Sequence, residues 1–139
     1  MSNNFTIGDL SRLTGVSIEA IRYYERMQLL PHPPRTQGGH RAYSPDNLRT
    51  LAFIKRAREL EFCLEDVRAL LSYRGMGRSC GGVLAIAARH LEEVRVKMQQ
   101  FVELERRLAA AVTRCPGEGS ADCAVLDMLE TGPSGRRAA

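Results

Sequence analysis

From Val83 to Arg114 the chain holds neither Gly nor Pro, and apolar residues recur in alternating steps of three and four: Leu84, Ala87, Leu91, Val94, Met98, Phe101, Leu108 and Val112. Only Glu105 interrupts the seam, with Leu104 beside it. This pattern predicts one long helix with a coiled-coil stripe, since a strand repeats every two residues. A chain of 139 residues that devotes so much of its length to an extended helix cannot bury the stripe in its own core. The expected assembly is a homodimer with Leu84, Leu91, Val94, Met98, Phe101 and Leu108 in the seam.

Cysteines mark both ends of this segment. Cys80 precedes it, and Cys115-Pro-Gly-Glu-Gly-Ser-Ala-Asp-Cys123 follows it. At 1.5 Å per residue a straight helix holds Cys80 and Cys115 roughly 50 Å apart, so they share no site in a monomer. Two such helices packed antiparallel bring Cys80 of one protomer beside Cys115 and Cys123 of the other. A parallel pair sets Cys80 against Cys80. Three thiols meeting across a dimer make a soft-metal or redox site.

The first thirty residues hold no basic segment followed by a continuous apolar run, so no signal peptide is expected. No stretch approaches the roughly eighteen apolar residues of a membrane span. The expected location is cytoplasmic, where four cysteines are reduced, metal-binding or redox-active rather than disulfide-paired. A net charge of +4 suits a polyanionic partner. His32, His40 and His90 fall on separate elements, and no Ser/His/Asp or paired-carboxylate arrangement stands out, so an enzyme is not expected.

The N-terminal half reads as two short helices around the turn Gly15-Val16-Ser17. Ile7, Leu10 and Leu13 share one face of the first, and Ser17 caps the second. The second helix, Ile18 to Met27, is expected to bury Ile18 and Ile21 and to present Arg22, Tyr23 and Arg26: a helix-turn-helix pattern. Leu29-Leu30-Pro-His-Pro-Pro stops it. Arg35 to Tyr43 surrounds a Gly-Gly turn with basic and aromatic residues and reads as a small wing. From Pro31 to Arg58 six Arg or Lys stand against one acid, Asp46, a patch able to neutralise DNA phosphates. Ser44-Pro45 starts a third helix, expected to turn Leu48, Leu51, Ile54 and Leu60 inward; a fourth runs from Leu64 to Tyr73. Cys63, at the break between them, reads as a small structural residue. His90 reads as a seam or surface residue.

Thr6-Ile7-Gly8, Ile21-Arg22-Tyr23-Tyr24-Glu25, Gly39-His40-Arg41-Ala42-Tyr43 and Phe53-Ile54-Lys55-Arg56-Ala57-Arg58, in that order and spacing, resemble the MerR family of bacterial regulators. The resemblance covers about residues 5 to 130. It implies a mainly α fold with a winged helix-turn-helix DNA-binding domain over 5–74, a hinge over 75–82 and an antiparallel dimerisation helix over 83–114. An effector loop and short helix over 115–130 would follow, then a disordered tail over 131–139. It also implies DNA contacts by Arg22, Tyr23, Arg41, Tyr43 and Lys55, and the same basic unit adds Ser17 and Arg35. By the same resemblance the dimer sits on a promoter with RNA polymerase and distorts the DNA when metal orders the loop.

The resemblance implies metal ligands at Cys115 and Cys123, with Cys80 of the partner subunit. The seven-residue loop is most similar to the copper(I) sensors of the family (the CueR type). A cysteine at position 80 instead matches relatives that sense divalent mercury, zinc, cadmium or lead. Two thiolates around a monovalent ion and three around a divalent ion both leave a net charge of minus one. A third thiolate around copper(I) would leave minus two in a mostly apolar site, which is costly. The expected effector is therefore Hg2+, Cd2+ or Pb2+, with Zn2+ disfavoured for want of a fourth ligand and Cu+ as the alternative. Two other readings stay open: a thiol switch closing a Cys115–Cys123 disulfide, and an architectural DNA-binding protein with inert cysteines.

Overall fold

Local capping sets the start of the chain. Thr6 Oγ1 accepts the Asp9 amide at 3.0 Å while the Thr6 amide donates to Asp9 Oδ2 at 3.0 Å, a reciprocal box that opens α1 (Ile7–Thr14). Gly15 ends α1 in the left-handed region at φ 78°, where a Cβ is disfavoured. Its own Cβ would also crowd Lys55 Nζ. Ser17 caps α2 (Ile18–Arg26), its hydroxyl accepting the Ala20 amide at 3.1 Å. Ser44, boxed with Asn47 and followed by Pro45, opens α3 (Pro45–Glu59). Then follow α4 (Leu64–Gly75), α5 (Cys80–Arg114) and α6 (Ala124–Thr131). The computed structural model describes residues 4–33, 42–75, 80–117 and 123–131. Most of the expected wing, the middle of the hinge and of the effector loop, and the tail beyond Thr131 lie outside the described residues.

The chain divides into two units, Met1–Ala87 and Ala88–Ala139. In the first, one cluster joins Leu10, Val16, Ile21, Leu30, Tyr43 and Leu51, and a second joins Leu29, Ile54, Ala57 and Val67. The helix α3 serves both, with Leu51 in one and Ile54 and Ala57 in the other. Each fully buried aliphatic side chain contributes about 1.5–3 kcal/mol. An antiparallel bridge from Phe5 to Tyr43, with amide–carbonyl distances of 2.7 and 2.8 Å, ties the N-terminal residues to the start of α3.

Two turns use left-handed non-glycine residues, Gln28 at φ 60° and Glu61 at φ 66°. Arginines clasp both. Arg68 Nη2 donates to the Met27 carbonyl at 2.6 Å, and Arg58 Nη1 to the Phe62 carbonyl at 2.7 Å. The first of these bonds satisfies a carbonyl at the end of α2 that lacks a helical amide partner.

Two expectations about the core fail. Ile18 is exposed, because it is the first helical residue and the core is reached one turn later, at Ile21. Leu60 is 66% exposed: it is the C-cap of α3, and the left-handed Glu61 turns the chain away beneath it. Leu13 is also exposed, at the outer margin of the face centred on Leu10.

The helix α5 begins at Cys80, three residues before the glycine-free segment, and so includes Gly81 and Gly82. Its polar face carries ion pairs at helical spacing, among them Arg95–Glu92 at 3.6 Å and Arg106–Glu103 at 3.3 Å. Such exposed pairs contribute about 0.3–0.5 kcal/mol each. His90, expected at the seam or the surface, is instead buried, with Nδ1 3.7 Å from Glu93 Oε2.

Candidate nucleic-acid interface and metal centre

The helix α2 presents a basic and aromatic face. Arg22, Tyr23 and Arg26 are exposed, and the Arg26 guanidinium lies 5.9 Å from the Tyr23 ring centroid. Tyr24 turns the other way and packs against both core clusters. The division follows helical period: Ile21 and Glu25, four apart, are the buried residues of α2, and Arg22 and Arg26, also four apart, lie outside. Cations on that face can meet phosphates or base edges. The exposed Ser17 hydroxyl accepts the Ala20 amide in its capping bond, and its own hydrogen can still be donated outward.

Tyr43 does not belong to the exposed set. It is fully buried, and its hydroxyl donates to Glu25 Oε1. The expectation of a DNA contact through its side chain gives way to a core role at the end of the wing. The sequence offered no sign of this, since the acceptor lies on another helix. Glu25, itself 1% exposed, also holds His32 Nδ1 at 3.3 Å.

Lys55 is partly exposed but already engaged: Nζ donates to the Thr14 carbonyl at 2.6 Å and lies 3.7 Å from Glu59. It ties α3 to the end of α1, just before the turn that leads to Ser17. Other members of the basic run are structural too. Arg58 holds Phe62, and Arg49 pairs with Asp46 at 3.4 Å. Arg56 is exposed. Arg35 and Arg41 lie outside the described residues.

Cys80 is the exposed first residue of α5. Cys115 is half-buried at the other end of that helix, its amide bonding the Ala111 and Val112 carbonyls at 3.0 and 3.3 Å. Gly117, at φ 92°, turns the chain immediately afterwards. Cys123, also half-buried, begins α6, and its Sγ accepts the Leu126 amide at 3.5 Å. A sulfur in that place faces the positive end of the helix backbone. Among the described residues of the single chain, no group of three or more His, Cys, Asp or Glu side chains converges to hold an ion. Cys63 is exposed at the start of α4.

Along α5 the predicted seam is laid open. Leu84 and Phe101 are about two-thirds exposed, and Leu91, Met98 and Leu108 are exposed as well, with Val94 half-buried. A continuous apolar stripe of this kind on an otherwise polar helix marks an interaction surface. No helix among the described residues is long and apolar enough to cross a membrane.

Comparison with known proteins agrees with these features. Residues 5–74 match the MerR HTH family regulatory protein model, and residues 48–111 match the MerR, DNA binding model. The HTH-type transcriptional regulator ZntR of Escherichia coli K12 is 36% identical over 135 residues, 94% of this chain and 96% of its own length. HmrR of Sinorhizobium medicae is 35% identical over 127 residues, 91% of this chain and 86% of its own. Among solved structures, the transcription regulator PbrR691 of Ralstonia metallidurans CH34 in complex with lead(II) superposes with a TM-score of 0.74 at 34% identity. The match covers 90% of this chain and 98% of that one. The chain belongs to the MerR family of helix-turn-helix transcriptional regulators.

Proposed function

We propose that this regulator acts as a homodimer on promoter DNA and activates transcription of metal-resistance or efflux genes when it takes up a soft divalent ion. One observation carries the reading: an exposed apolar seam runs along an unbroken 35-residue helix that has a cysteine at its start and another just past its end. Antiparallel pairing through that seam would unite Cys80 of the partner subunit with Cys115 and Cys123. The donors fit a thiophilic ion: all three are thiols, and Cys123 is already oriented by the Leu126 amide. When bound, the ion supplies a cationic centre that draws the loop between Cys115 and Cys123 together. Arg22, Tyr23 and Arg26 on α2 would meet the DNA, with Arg35 and Arg41 holding phosphates from the wing.

Charge balance favours a divalent ion over Cu+, the want of a fourth ligand disfavours Zn2+, and the lead(II) complex of PbrR691 supports Hg2+, Cd2+ or Pb2+. The promoter would respond through deformation of its DNA, with RNA polymerase already at hand. The test is competitive metal binding to the reduced protein, unsubstituted and Cys80→Ser, with mercury(II), cadmium(II), lead(II), zinc(II) and copper(I). Tight divalent binding that the substitution removes, with copper(I) binding retained, is the expected result. Copper(I) binding indifferent to Cys80 would make this a copper sensor with a spectator cysteine.

A further inference from the structure

Gly82 sits in the first turn of α5, two residues after Cys80. A Cβ built there would overlap the Tyr73 ring at Cζ and at the hydroxyl oxygen. The neighbouring Gly81 has open space around it, so the steric demand for glycine belongs to position 82 alone. Tyr73 lies in the last turn of α4, and the next residue, Arg74, is fastened to α3. Its guanidinium donates to Thr50 Oγ1 at 3.3 Å and to Asp46 Oδ1 at 3.4 Å, and lies 5.7 Å from the Phe53 ring centroid. From α3, Lys55 reaches the Thr14 carbonyl beside the turn that starts α2.

These contacts form one unbroken physical series from Cys80 to the helix-turn-helix. A helix turn moves as a body, so a shift at Cys80 carries Gly82 with it. A ring seated directly on a Cα receives that shift by direct contact. We infer that the Tyr73–Gly82 contact is the positioning contact through which metal occupancy at Cys80 is passed to the DNA-binding helices; the inference rests on the metal-sensing reading above. Tyr73 and Gly82 hold no ion and meet no DNA in this scheme. They hold the first turn of α5 against the last turn of α4.

The experiment uses the full-length reduced protein with cadmium(II) as the probe. Cadmium uptake is followed by thiolate absorbance, and amide hydrogen exchange is read across α3 and α4 with and without metal. In the unsubstituted protein, cadmium is expected to change exchange there by about fivefold or more, the usual size of an allosteric coupling. Gly82→Ala displaces the far end of a rotatable side chain, so the unit still folds. It is expected to bind cadmium as before while the exchange ratio in α3 and α4 falls toward one. Tyr73→Ala should do the same, and Tyr73→Phe, which keeps the ring, should retain the response. A purely structural role would lower the melting temperature without separating uptake from response. If the unsubstituted protein takes up cadmium but shows no response in α3 and α4, or if Gly82→Ala and Tyr73→Ala transmit it undiminished, the coupling is overturned alone. Failure of the unsubstituted protein to take up cadmium would overturn the metal reading and the coupling with it.

Discussion

Replacing Tyr43 with Phe removes one oxygen from the centre of the DNA-binding unit and nothing else. The ring is fully buried, Phe keeps its shape, and no cavity of note arises. What is lost is the phenol donor to Glu25, a carboxylate with 1% of its surface exposed. Hydrogen bonds to buried charged groups contribute about 1.5–3 kcal/mol, and the His32 contact at 3.3 Å retains part of the environment. A destabilisation of about 2 kcal/mol is therefore expected. Glu25→Leu, which leaves the buried phenol without its carboxylate, should cost at least as much. The double variant Tyr43→Phe/Glu25→Leu should recover much of the sum, because removing both partners eliminates the desolvation mismatch. All four tyrosines (Tyr23, Tyr24, Tyr43 and Tyr73) lie in the first unit, so tyrosine fluorescence in a urea titration reports that unit's unfolding. Protein concentration must be fixed, since dimerisation would add to apparent stability. At a slope of about 1–3 kcal/mol per molar urea, the midpoint should fall by roughly 1 M. A change under about 0.5 kcal/mol for Tyr43→Phe, or strict additivity in the double variant, would refute the assigned role.

Arg22→Ala should weaken binding to duplex DNA and flatten its salt dependence, by about 0.9 in the log–log slope for each phosphate no longer neutralised, two per dimer; an unchanged slope would remove Arg22 from the interface. Phe101→Glu places a charge in the middle of the exposed seam, and sedimentation should show monomer at concentrations where the unsubstituted chain is dimeric, whereas an unaltered dimer would place the contact elsewhere. Asp9 is held below the ordinary carboxylate range, chiefly by the Thr6 amide, then the Thr6 hydroxyl, with Arg12 assisting. Its folded pKa being depressed, its stabilisation is present above the unfolded value and is lost as pH falls through the folded one. Acid titration below about pH 4 should therefore weaken α1 in the native protein, and Asp9→Asn should remove that part of the pH dependence.

What the sequence determined by itself is local. Ser17 and Ser44 announce their helices because a cap bonds an amide two or three residues away, and Pro45 confirms the second of them. The seam from Leu84 to Val112 is legible for the same reason: neighbours on a helix face are three and four apart, and that spacing is written in the chain. The cysteines bracketing α5 could be named as candidates, though not what they converge on, since that depends on a second copy of the helix.

Only the tertiary structure decided how the basic and aromatic residues are used. Tyr43 and Lys55 read as DNA-facing, yet one is buried on Glu25 and the other is bonded to a carbonyl 41 positions earlier. Arg68 and Arg74, likewise, serve turns and helices far away in sequence. A long polar side chain takes whichever acceptor the fold brings within reach, and no periodicity encodes that. Gly82 is the same case in reverse. In sequence it reads as a hinge that should delay the helix, and in the structure its missing Cβ makes the room that the Tyr73 ring occupies. Backbone capping and helical period act over four residues, whereas the fate of a charge or a ring is settled by chain segments that meet only after folding.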